Sequence, residues 1–163
     1  NNASTNPQVH IVTGTAAANL PVSGTVNYAV VGSTAPTNFN GADGNSGTAS
    51  GTLAVQFGTQ AKVGFNLNVA TGNRGWTMAT PGGSADPGNG GLVVGGDMRF
   101  GSGSVAIAAA NANSCIGSCT ASVVGALYGN AASHVGLGYQ ISDFAPTGAF
   151  TVNGVLVFGK VAP

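Results

Sequence analysis

The chain contains no glutamate, and its fixed charges reduce to Lys62, Lys160, Arg74, Arg99, Asp43, Asp86, Asp97 and Asp143. Charged residues make up 5% of the sequence, against about 25% in an average globular domain. Nucleic-acid binding draws its affinity from clustered cations that neutralise phosphates, and four scattered Lys and Arg build no such stripe; nucleic acid is not expected as a partner. The same scarcity argues against an anionic membrane surface. Long apolar runs are missing too, so no spanning helix is expected. The opening NNASTNPQ lacks the charged and apolar regions of a secretion signal, and the chain reads as a mature or trimmed soluble piece. Asn, Ser, Thr and Gly are left to cover a neutral exterior.

What the sequence has in quantity is glycine, 28 residues, punctuated further by seven prolines. Between these breaks apolar residues recur at period two, the mark of half-buried strands. KVGFNLNV (62–69) sets Val63, Phe65, Leu67 and Val69 against Lys62, Gly64, Asn66 and Asn68. TVNYAVV (25–31) and TLAVQFG (52–58) alternate likewise, and HVGLGYQIS (134–142) puts Val135, Leu137, Tyr139 and Ile141 on one face. Further strands are expected over 74–80, 90–101, 103–109, 120–129 and 149–160; for 106–114, AIAAANANS, helix and strand both stay open. Eight strands, or nine, joined by turns predict an all-β chain, an antiparallel up-and-down β-barrel with long polar loops. Closure is favoured because a chain with so few charges cannot protect open edges. Residues 1–19 are read as an N-terminal extension with room for a short strand, and 20–163 as one barrel domain. The polar stretches 33–51 and 80–91 are either solvated connectors or a binding rim held by the scaffold.

CTASVVGALYGNAASHVGLGYQISD (119–143) resembles the C-terminal barrel motif of transferrin-binding-protein-B-like domains of Gram-negative bacteria. In that motif a strand ending in Gly, an aromatic pair and Gly meets a small-residue turn and then a Gly-bearing strand. The pattern falls here on Gly125, Tyr128, Gly129, Asn130, Ala131, Ala132, Gly136 and Gly138. GVLVFGK (154–160) is similar to the family's final strand, and LPVSGTVNYAVVGSTAPT (20–37) to the first strand of its FecR-associated, solute-binding-protein-like branch. The resemblance implies an eight-stranded barrel with a side-chain-filled interior, in a surface lipoprotein or the last domain of a larger envelope protein. It therefore implies a location at the cell surface or in the periplasm of a Gram-negative bacterium. The aromatic pair is reduced to Leu127-Tyr128, Asn130 stands where many members have Pro, and charge-rich loops are missing, so no transferrin-binding residue carries over.

SCIGSC places Cys115 and Cys119 in one short loop, where an oxidising envelope compartment favours a local disulfide. The spacing is not CxxC and no cation flanks it, which argues against a redox centre. A zinc site needs further ligands, and His10 and His134 belong to no paired motif, so no metal is expected. Paired carboxylates for glycoside hydrolysis would require isolated aspartates to converge, and a Ser–His134–Asp143 assembly has no GxSxG elbow to support it. The chain is accordingly expected not to be an enzyme and to hold no cofactor. Arg74 lies two residues before Trp76, on one strand face: a core tryptophan with a snorkelling arginine, or a ligand-stacking pair. His134, with Tyr128 or Tyr139, is the candidate for a haem contact.

The expected function is a non-enzymatic binding or adhesion module recognising a protein or surface ligand. The alternatives are a lipocalin-type carrier of haem or another apolar ligand, and a structural cap of a larger surface protein. An integral outer-membrane barrel is disfavoured by the polar outward positions Lys62, Asn66, Asn68 and Gln140.

Overall fold

The computed structural model describes residues 9–38, 47–102, 105–145 and 148–162. Every regular element among them is a strand: β1 (Gly24–Ser33), β2 (Thr37–Asn38), β3 (Thr48–Phe57), β4 (Lys62–Thr71), β5 (Arg74–Ala79), β6 (Leu92–Val93), β7 (Arg99–Ser102), β8 (Ala106–Ala109), β9 (Ser118–Tyr128), β10 (His134–Ala145) and β11 (Gly148–Lys160). They form one antiparallel curled sheet in the order β7-β9-β10-β11-β1-β3-β4-β5-β8, with β2 added to β11 and β6 to β4.

The period-two pattern sets which face turns inward. On β4, Val63, Phe65, Leu67 and Val69 are buried, and on β10 Val135, Leu137, Tyr139 and Ile141 are buried opposite their register partners Phe158, Leu156, Gly154 and Val152 on β11. Trp76, Phe65 and Phe158 head the fully buried side chains filling the concave side. The sheet curls until β5 meets strands far from it in the order: the Trp76 ring lies 6.1 Å from that of Phe150 on β11.

One expectation is corrected here, and one alternative left open is decided. Residues 90–101 do not make one strand: after β6, Val94 N–H bonds to Ala61 O and Gly95 N–H to Arg99 O, a turn that ends one pairing and starts β7 on another partner. The stretch 106–114 holds no helix, and only 106–109 is strand, paired antiparallel with β5 through Trp76↔Ala109 to Ala79↔Ala106.

The polar stretch 80–91 is neither a bare connector nor a projecting rim. It bonds to itself through Gly82 N–H to Asn89 O and Asp86 N–H to Gly82 O, and folds against the outer face of β3 and β4. There Asn66 Oδ1 accepts from the Ser84 N–H at 2.8 Å, and Lys62 Nζ donates to Gly88 O at 3.1 Å. Gly64 sits beneath it because any Cβ would collide with the Gly83 carbonyl. Of the other stretch, 33–51, residues 39–46 lie outside the described residues.

The outer face of β9 and β10 is covered from the N-terminal side. Ala17 and Ala18 donate to Leu127 O and Gly129 O, bridging Ala16 to Tyr128 and Ala18 to Asn130. The Tyr128 ring lies between Gly14 and Gly136, and Val12 also packs on Gly136. That glycine is therefore required by close approach of the N-terminal segment as well as by curvature.

Candidate functional site

On β10 the inward file Val135, Leu137, Tyr139 and Ile141 is followed by Asp143, fully buried. Burying a carboxylate costs several kcal/mol unless donors surround it. Its Oδ2 accepts from Arg74 Nη1 at 3.0 Å, from Trp76 Nε1 at 3.1 Å and from the Cys115 backbone N–H at 3.0 Å. Arg74 and Trp76 both come from β5, two residues apart and so on one face, reaching across the interior to β10. The guanidinium also lies 4.8 Å from the centre of the Phe150 ring. Oδ1 is buried and has no hydrogen-bond partner among the described residues.

The third donor depends on a loop. Cys115 and Cys119 are joined by a disulfide with their Cα atoms 5.1 Å apart, and Cys115 has a left-handed backbone, φ 54°, which turns its N–H toward the carboxylate. The same loop is fastened to the β4–β5 turn independently of sulfur. Gly75 N–H donates to Ser114 Oγ at 2.8 Å, Ser114 Oγ bonds to Asn111 Oδ1 at 3.1 Å, and Asn113 Nδ2 donates to Asn73 O at 3.2 Å.

Of the residues singled out from sequence, Arg74, Trp76, Cys115 and Cys119 thus converge on one point. His134 does not join them. It opens β10 at the other end, exposed, with Nδ1 3.0 Å from Ser133 Oγ; nine residues of strand, about 30 Å, separate it from Asp143. Trp76 is fully buried against Asp143 and Phe150, which leaves no face for a stacking ligand. Asp143 was not singled out from sequence; the signal that points to it is its place two residues after Ile141, where it continues the inward register of Val135 to Ile141 as a lone charge in an apolar file.

The glycine-rich motif is structural. Gly125 lies under the Phe100 ring, and Gly129, Ala131 and Ala132 take φ of 77°, 50° and 51° in the turn. Alanines there are strained by about 1 kcal/mol or more each. They are held by the buried Tyr28 hydroxyl donating to Ala132 O at 2.7 Å, by Ala131 N–H to Ala18 O and by Asn19 Nδ2 to Asn130 Oδ1. Gly138 is different. It floors an open outer groove of about 300 Å³ between Val124, Gln140, Asn153 and Val155, with His10 at one end. His10 is half-buried there, its Nε2 2.6 Å from Thr37 Oγ1, and burial lowers its pKa.

No family model, no curated protein and no solved structure matches this chain.

Proposed function

We propose that the chain is a non-enzymatic binding module of the bacterial cell envelope, built on a closed eight-stranded barrel that serves as scaffold while the outer face and loops do the recognising. Closure is supported by the seam: β7 pairs with β9, Val105 N–H then bonds to Ala121 O on β9, and the chain crosses to pair with β5 as β8. β7 and β8 on this reading close the ring between them, β7 against β9 and β8 against β5. The resemblance of 119–143 to transferrin-binding-protein-B-like domains and the disulfide, which suits an oxidising compartment, support the envelope assignment.

One observation carries the functional reading. The interior is filled by Trp76, Phe65, Phe158, Leu53, Leu67 and Met78, each essentially inaccessible, so an apolar ligand in the lipocalin manner would have to displace core side chains. Recognition is left to the exterior. Asp143, buried and already bonded to three donors, is poorly placed as an acid or base, Asp97 sits exposed beside Arg99, and Asp86 belongs to the folded 80–91 loop.

Two measurements on the purified protein test this. Native mass spectrometry and the absorbance spectrum are expected to show the bare chain; a co-purifying haem or lipid would overturn the scaffold reading in favour of a carrier. Fluorescently labelled protein is expected to bind a glycan or cell-surface-protein array saturably. Gly138→Phe, which fills the outer groove without touching the core, should weaken binding at least severalfold with the unfolding midpoint unchanged if the groove contributes.

A further inference from the structure

Two sulfurs and a carboxylate meet where the Cys115 loop crosses β10. The Sγ atoms of Cys115 and Cys119 and a carboxylate oxygen of Asp143 all lie within 4.8 Å of one another. While the disulfide is closed the sulfurs are poor ligands, and the three residues make a structural corner.

We propose that reduction of the Cys115–Cys119 bond turns this corner into a binding site for one thiophilic divalent cation, Zn²⁺ by its donor set, held by both sulfurs and Asp143. The proposal rests on these three residues and is independent of what the outer face binds.

Four observations carry it. The carboxylate is oriented in advance: Oδ2 is engaged by Arg74, Trp76 and the Cys115 N–H, while Oδ1 is buried with no partner among the described residues. Hydrogen-bonded carboxylates of this kind are the usual oxygen ligands of protein metal sites, their outer partners fixing geometry. Second, the loop does not depend on the disulfide for its position. Ser114, Asn111 and Asn113 fasten it to Gly75 and Asn73, so the thiols stay beside Asp143 when the S–S bond opens. Third, charge balances: two thiolates and a carboxylate carry three negative charges, Arg74 offsets one, and a divalent cation neutralises the remainder. Fourth, both cysteines are half-buried, so a reductant and an ion can reach them. Two thiolates select a soft or borderline ion over Mg²⁺ or Ca²⁺, and three protein ligands with a water in the fourth position is a standard zinc arrangement.

The chemistry balances with a dithiol reductant. It supplies two electrons and two protons, the S–S bond breaks, a thiol forms on each cysteine, and the reductant leaves as its own disulfide. Zn²⁺ then displaces both thiol protons to solvent as two Zn–S bonds form.

Cobalt(II) is the spectroscopic probe. After reduction, confirmed by thiol titration, and anaerobic removal of the reductant, the whole chain is expected to bind one Co²⁺ with a thiolate-to-cobalt charge-transfer band. Zn²⁺ should abolish that band, and oxidised protein should never give it. The Cys115→Ser/Cys119→Ser variant should give no band, and Asp143→Asn should weaken Co²⁺ at least tenfold. A reduced, folded chain that gives no cobalt band overturns the proposal, as does a band that survives Asp143→Asn at equal affinity. Should Asp143→Asn not fold, infrared difference spectra of wild-type protein decide, because four aspartates and no glutamate are present. Zn²⁺ must then shift one side-chain carboxylate, and no shift rejects the Asp143 ligand.

Discussion

The two ends of β10 are buried by opposite means. Near His134 the packing is apolar, with Val135 between Leu127 and Phe158, and one neutral hydroxyl, Tyr28, donates to Ala132 O. Nine residues on, the strand buries a full charge, Asp143, and needs Arg74, Trp76 and the Cys115 N–H to hold it. A neutral hydroxyl needs one acceptor to be content inside a protein, whereas a carboxylate needs several donors, at least one of them charged. That difference explains why the Asp143 end requires a cross-sheet arginine and a clamped loop, while the Tyr28 end requires only a turn.

The sharpest way to break the comparison is to remove the charge. Asp143→Ala leaves the largely buried Arg74 and the Trp76 N–H without their acceptor, and should lower stability by about 3–5 kcal/mol. Urea unfolding followed by the fluorescence of Trp76, the single tryptophan, measures it. Replacing both partners, Arg74→Met with Asp143→Leu, should recover most of the loss, because an apolar pair of similar volume removes both desolvation costs. A loss near zero for Asp143→Ala would place the carboxylate in effective contact with water and put the two ends on an equal footing.

The disulfide sharpens the same end more gently. Cys115→Ser/Cys119→Ser should cost about 2 kcal/mol, the chain-entropy value for so short a loop. Because Ser114 and Asn113 still fasten the loop, near-ultraviolet circular dichroism of Trp76 should be largely preserved. If it collapses, the Cys115 N–H donor is held by sulfur alone.

Sequence legibility follows the same division. The apolar end could be read because period-two alternation is a property of single strands: β4, β10 and β11 fall where Val63 to Val69, Val135 to Ile141 and the 149–160 run placed them. Arg74 and Trp76 could be put on one face for the same reason. Their partner could not be found that way, since β5 and β10 meet only through the curl of the whole sheet. The folding of 80–91 onto Asn66 and Lys62 was equally hidden: turn-rich composition signals a loop but not the surface it lies on. The 90–101 run misled because its apolar pairs Leu92-Val93 and Met98 with Phe100 belong to different partner strands.

At the apolar end, Tyr28→Phe should cost about 1 kcal/mol, leaving Ala132 O without its donor. Burial pushes the Tyr28 hydroxyl from 10.0 up to about 12, so the folded state holds this proton more tightly than the unfolded chain does. The resulting stability is fully present below pH 10 and is lost as pH rises from 10 to about 12. A stability profile over that window should fall more steeply for wild-type protein than for Tyr28→Phe. Equal slopes would mean that the buried hydroxyl does not sense the fold.

The smallest expected effect separates a bonded hydroxyl from an unbonded one on the same sheet. Tyr139 lies inward on β10 over Gly154, where any Cβ would collide with its hydroxyl, and that hydroxyl is buried without a partner among the described residues. Burial raises its pKa as it does that of Tyr28, yet the two should respond differently to loss of the oxygen. Tyr139→Phe breaks no bond and removes a desolvated polar atom while keeping the ring on Gly154. Stability should therefore change by less than about 0.5 kcal/mol, or rise. A loss matching that of Tyr28→Phe in the same urea experiment would show that the oxygen is held after all, and that β10 buries two anchored polar groups, Asp143 and Tyr139, in place of one.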